Sequence, residues 1–186
     1  MHEFLINYYK EKGLPVQKIN LFGIRDESGM SKDLINDVLG FWTDEEICIV
    51  PGTTDPGVYW TVSDERNKAG TFHLLEGFHE AIWTIGKHKG YEALVNDYRF
   101  CRPTKGWRDA NYNYIYDKKD RIVCDYYGIN FHRMHVSVIA RLIGKYSAGC
   151  QVVQNPKDFE YILQQVKASG EKVFNYMLFR KEEVPA

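Results

Sequence analysis

Tyr127-Gly128-Ile129-Asn130-Phe131-His132-Arg133 and, after a linking segment, Ser147-Ala148-Gly149-Cys150-Gln151-Val152-Val153 are the two runs around which the rest of the chain reads as scaffold. In the first, Ile129 and Phe131 alternate with Asn130 and His132, so a strand here sends the apolar pair inward and His132 to the opposite face. In the second, a glycine-flanked cysteine leads into a short apolar strand. Small neighbours let a substrate backbone approach the thiol, and the amides around Gly149 are free to point at a developing oxyanion. An imidazole within reach of that sulfur converts thiol to thiolate, the species that attacks carbonyls. An isolated cysteine is more often an inert core residue. A strand-borne histidine followed by this small-residue turn is a more particular arrangement, and it makes Cys150 the candidate nucleophile, His132 its base and Gly149 part of the oxyanion site.

Outward from that pair, Phe4, Leu5, Tyr8 and Tyr9 recur at helical spacing until Gly13-Leu14-Pro15, which predicts an N-terminal helix lying as a lid on the core. Ile19 to Arg25 alternates as a strand, Asp26 to Asp37 reads as a polar loop, and Phe41-Trp42 with Ile47 to Val50 predicts a hairpin around Thr43 to Glu46. After the turns at Pro51-Gly52 and Asp55-Pro56-Gly57, Val58, Trp60 and Val62 alternate with Tyr59 and Thr61 as a further strand. Gly70 to Leu75 and Ala81 to Ile85 give two more, joined through Gly77. Gly86-Lys87-His88-Lys89-Gly90-Tyr91 reads as a basic loop without phosphate-loop spacing. Pro103 to Arg121 predicts a long aromatic hairpin or flap near the site, with a tight turn at Asp117 to Asp120. Ile122 to Cys124 returns to a strand, and Val136 to Ile143 is apolar enough for a helical turn bridging the site. Asn155-Pro156-Lys157-Asp158 is a helix start, and Phe159, Ile162, Leu163 and Val166 share one face until Gly170. Lys172 to Arg180 supplies a last strand, and the Glu-Glu-Val-Pro-Ala end is expected to fray.

The 186 residues suit a single domain, 1–186, with a helix at 1–15 and another at 155–170. The expected fold class is α+β, a mainly antiparallel, strongly curved sheet or sandwich with those helices flanking it. With 24 basic against 25 acidic side chains there is no electrostatic case from net charge for a nucleic-acid or polyanion partner. Cys48, Cys101, Cys124 and Cys150 contain no Cys-x-x-Cys pair, and a reduced state is the simpler expectation. His132, His135 and Cys150 do not make a metal site, because on a strand residues three apart face opposite sides, so no metal or cofactor is expected. Met1 to Lys12 is too polar for a signal peptide and no apolar run reaches about 18 residues, so no membrane association and cytoplasmic synthesis are expected.

Gly128-Ile129-Asn130-Phe131-His132-Arg133, Ser147 to Val152 and Thr53-Thr54-Asp55-Pro56-Gly57-Val58-Tyr59-Trp60 together resemble the L,D-transpeptidase catalytic domain, the YkuD-like family, over roughly 23–159. The likeness is greatest to a phage and Bacteroides branch with a Ser-Ala-Gly-Cys motif. It implies a YkuD-like sheet, Cys150 as nucleophile, His132 as base and the main-chain carbonyl of Arg133 as the group that orients it. His88, Ser147 and Tyr59 become the candidate substrate-binding residues. The implied activity is thioester-mediated acyl transfer or hydrolysis on peptidoglycan stem peptides, for a phage product acting on the wall after release. The alternatives are an inactive wall-binding or virion module, or a cysteine peptidase with another substrate. Ala148 stands where the common motif has a second histidine, and Gln151-Val152 where it has Ile/Leu-Arg or Leu-Asn.

Overall fold

The computed structural model describes residues 1–185, and the last residue of the expected frayed end lies outside them. The chain is α+β with mostly antiparallel sheets. Eight strands close into a barrel: β1 (Asn20–Arg25), β2 (Asp37–Trp42), β3 (Ile47–Thr53), β5 (Gly77–His88), β6 (Tyr91–Val95), β9 (Phe131–Arg133), β10 (Gln151–Val153) and β11 (Phe174–Arg180). Their order is β1-β11-β5-β6-β9-β10-β3-β2, so the curvature expected from sequence is carried to closure, which leaves no free sheet edge. Two pairs are parallel, β1 with β11 and β9 with β10. A separate three-stranded sheet joins β4 (Thr71–Leu74), β7 (Thr104–Asp109) and β8 (Arg121–Asp125). Of the flap hairpin expected between Pro103 and Arg121, only its first strand, β7, forms there; it pairs with β8, the strand expected at Ile122 to Cys124, and residues 110–120 connect the two without regular structure.

Alternation explains why β1 and β11 are buried on both faces. Leu21, Tyr176 and Leu178 point into the barrel core with Trp83, Phe131 and Phe159, while Phe22, Met177 and Phe179 point outward into a second cluster. That second cluster is covered by α1 (His2–Lys12) through Leu5 and Tyr9. The N-terminal helix thus caps the outside of the barrel wall and does not lid the main core. α3 (Pro156–Ser169) has the Asn155 side chain accepting from Lys157 N–H, proline in its first turn and a left-handed Gly170 at its end, and it buries Phe159, Ile162 and Val166 against the barrel.

Three local expectations are corrected. Val58 to Val62 is a single helical turn, α2 (Tyr59–Val62), because Trp60 N–H bonds to Gly57 O and Val62 N–H to Val58 O, which satisfies the backbone locally. It turns Thr61 inward and leaves Val62 exposed. Gly86, Lys87 and His88 continue β5, and the connection is the two-residue turn Lys89-Gly90, both at positive φ, as a tight hairpin requires. Residues 134–150 are mostly irregular, with Val136, Val138 and Ile139 more than half exposed, so no helix bridges the site there.

Candidate active site

The parallel β9–β10 pair sets the site. Its register places Gln151 beside Phe131 and Val152 beside His132. Side chains two apart on a strand share a face, so Cys150, at the head of β10, projects on the same side as His132. Gln151 and Phe131 point the other way, into the barrel. The Asn130 amide donates to Cys150 Sγ at 3.4 Å and the thiol faces Gly128 O at 3.7 Å.

His132 is buried, with 3% of its surface exposed. Its Nδ1 lies 2.8 Å from Arg133 O, and since a carbonyl only accepts, Nδ1 carries the hydrogen. Nε2 therefore presents a lone pair, and it has no partner among the described residues. Tyr91 Oη reaches the same carbonyl at 3.3 Å. The His88 ring stacks on His132 at 4.2 Å, and its Nδ1 accepts from the Asn130 side-chain amide at 3.0 Å. Burial, helped by His88 and Lys89, lowers the His132 pKa to about 3. Burial likewise raises the Cys150 thiol, with the Asn130 N–H and Lys89 offsetting only part of it. The resting pair is thus neutral thiol and neutral imidazole, where the sequence led us to expect a thiolate already formed.

The turn before Cys150 is tied from below. Ser147 Oγ accepts from Gly149 N–H at 3.1 Å and donates to Cys150 O at 2.8 Å. Ser147 is fully buried, so it supports the turn and is not available to a substrate. The Gly149 amide is occupied by the same hydroxyl, which makes the Cys150 N–H the candidate oxyanion donor. Gly149 sits at φ 116° and a Cβ there would meet Phe72 O at 2.6 Å, so only glycine fits.

Gln151, which with Val152 stands where the common motif has Ile/Leu-Arg or Leu-Asn, faces the barrel and not the substrate side. It is completely buried, donating to Thr54 O at 3.2 Å and Gly149 O at 3.4 Å, and accepting from Tyr176 Oη at 2.7 Å. Holding the Gly149 carbonyl inward turns the opposite end of the same planar peptide, the Cys150 N–H, outward. Thr54 O also accepts from Arg25, whose buried guanidinium lies 3.0 Å from Asp55 and donates to Glu76 and Leu74 O. Burial works against the ionised Asp55, but Arg25 and His73 outweigh it and keep its pKa low. Gln151 and Arg25 thus converge on Thr54 O and brace the turn that carries Cys150, roles that depend on burial and that the sequence did not disclose.

A cleft of about 330 Å³ opens beside the turn, with Ala148, Ile129, Phe72, Tyr127, Arg108 and Trp60 on its walls. Tyr59 is not on them; its hydroxyl donates to Glu65 at 2.6 Å and Lys145 lies over its ring. His135 turns its Nδ1 to the Ser137 and Val138 amides, away from any shared ligand set with His132. No helix is long and apolar enough to cross a membrane. Comparison with family models, curated proteins and solved structures yields no match to this chain. The chemistry is therefore argued from the site itself.

Proposed function

We propose that the protein is a cysteine-dependent acyl transferase or hydrolase acting on peptide carbonyls, with peptidoglycan stem peptides as the substrate class that its resemblance to the L,D-transpeptidases implies. One observation carries the reading: a buried imidazole on the same face as Cys150, its Nδ1 hydrogen fixed by Arg133 O and its Nε2 lone pair unused. Cys150 Sγ attacks the carbonyl carbon while its proton moves to His132 Nε2. The oxyanion takes the Cys150 N–H, and collapse expels the amine, which leaves with the proton from Nε2. The resulting thioester passes its acyl group to an acceptor amine, or to water, and the thiol is restored.

Purified muropeptides and ordinary peptides digested side by side, with mass analysis of the products, test this. Cys150-dependent cleavage or exchange of muropeptides alone supports the reading. Turnover of ordinary peptides alone reassigns the protein as a peptidase. Wall binding that survives Cys150→Ala, with no turnover by the native chain, makes it a binding module.

A further inference from the structure

The cleft that Ala148 lines does not end at Arg108. A second cavity of about 490 Å³ shares Arg108 and Tyr127 as its wall and is lined also by Lys68, Lys119 and Arg121. None of these four cations has a carboxylate within ion-pair distance among the described residues, although nine ion pairs of lysine or arginine occur elsewhere among them.

The acids of the same hairpin take hydrogen bonds from backbone amides, and Asp117 also feels the charge of Lys119. Asp109 accepts from Asn113 and Tyr114 N–H, Asp120 from Ala110 and Asp117 N–H, and Asp117 from Lys119 N–H. The one acid on either wall, Glu65, is held by Tyr59 and lies 3.5 Å from Lys145. Arg108 is half-buried and rests against the adjoining rings of Tyr127 and Phe72, 4.8 and 5.4 Å from its guanidinium carbon, and makes one hydrogen bond among the described residues, to Gly70 O at 3.1 Å. A half-buried guanidinium held against two aromatic rings and left with free donors is organised to pair with a planar anion.

We propose that this trough is the subsite for an acidic peptide: a carboxylate near the reacting carbonyl pairs with Arg108, and a further carboxylate along the chain reaches Lys119 and Arg121. The assignment rests on the acyl-transfer reading for its orientation toward Cys150, and on the charge arrangement alone for its ligand class.

Binding of N-acetyl-triglutamate and N-acetyl-triglutamine to the full chain bearing Cys150→Ala, followed by Trp fluorescence and calorimetry at low and high salt, separates the two. The acidic peptide is expected to bind in a salt-sensitive way, and to weaken by about tenfold or more in Arg108→Gln. The same loss is expected in the double variant Lys119→Gln/Arg121→Gln, whose exposed positions leave the fold intact. The triglutamine peptide should not bind. Equal affinity for the two peptides, or acidic-peptide binding unchanged in both variants, overturns the subsite. In the native chain, saturating triglutamate should slow alkylation of Cys150, and an unchanged rate places the peptide elsewhere and overturns it too. Because binding is read without turnover, an inert Cys150 would defeat the catalytic reading and leave this result standing.

Discussion

His132 gives its Nδ1 hydrogen to the carbonyl of its own neighbour, Arg133, at 2.8 Å, and this leaves a buried Nε2 without a partner. The cost of that arrangement should be measurable as acid sensitivity. The folded pKa lies far below the ordinary 6.5, so the unfolded chain takes up the proton first as pH falls. The stability His132 contributes is fully present above about pH 6.5 and is lost progressively toward about pH 3, by on the order of 4 kcal/mol. Denaturant unfolding across that range should show a shallower acid decline in His132→Gln than in the native chain, with the buried His79 common to both.

Cys150 should titrate late. Its raised thiol pKa means that alkylation by iodoacetamide climbs with pH through and beyond the ordinary thiol range, with no plateau at neutral pH. A preformed thiolate and imidazolium pair would give that plateau. Mapping the alkylated peptide is essential, since Cys124 is also exposed.

Gln151→Leu should orphan the Tyr176 hydroxyl and release the Thr54 and Gly149 carbonyls. We expect a loss of about 2–4 kcal/mol in unfolding free energy and a fall of about tenfold to a hundredfold in acylation rate as the Cys150 N–H loses its aim. Gln151→Glu keeps an acceptor for Tyr176 but no donor for Gly149 O. Its carboxylate would face the Thr54 and Gly149 carbonyl oxygens at a fully buried position, so the variant should be no more stable than Gln151→Leu and as slow.

Gly149→Ala forces a side chain into a left-handed backbone and against Phe72 O. A cost of about 1–3 kcal/mol, with acylation reduced, is expected from thermal unfolding and ester turnover measured together.

The parts of this fold legible in the sequence are those specified locally. Asn155, Pro156 and Gly170 bracket α3, Gly13 ends α1, and the hydrophobic pattern of Phe41-Trp42 and Ile47 to Val50 gives the β2–β3 hairpin. The misreadings come where alternation is coincidental or context decides. Val58 to Val62 alternates like a strand, yet its backbone bonds close on Gly57 and Val58. His88 belongs to β5, because Lys89-Gly90 takes the two-residue turn without the usual Asn-Gly signature. Of the site, Cys150, His132 and the Arg133 carbonyl were readable as a motif. The roles of Ser147 and Gln151 were not, since both depend on which side of β10 faces the barrel. The neutral state of the Cys150 and His132 pair depends on burial, which no spacing reveals.

Acylation by p-nitrophenyl acetate, read as the nitrophenolate burst and as the intact-protein mass, tests the central claim most directly. We predict one acetyl group per chain, mapped to Cys150, formed more slowly in His132→Gln by about a hundredfold to ten-thousandfold. An acetyl group on another cysteine, or a His132→Gln burst as fast as that of the native chain, would contradict the assignment of nucleophile and base.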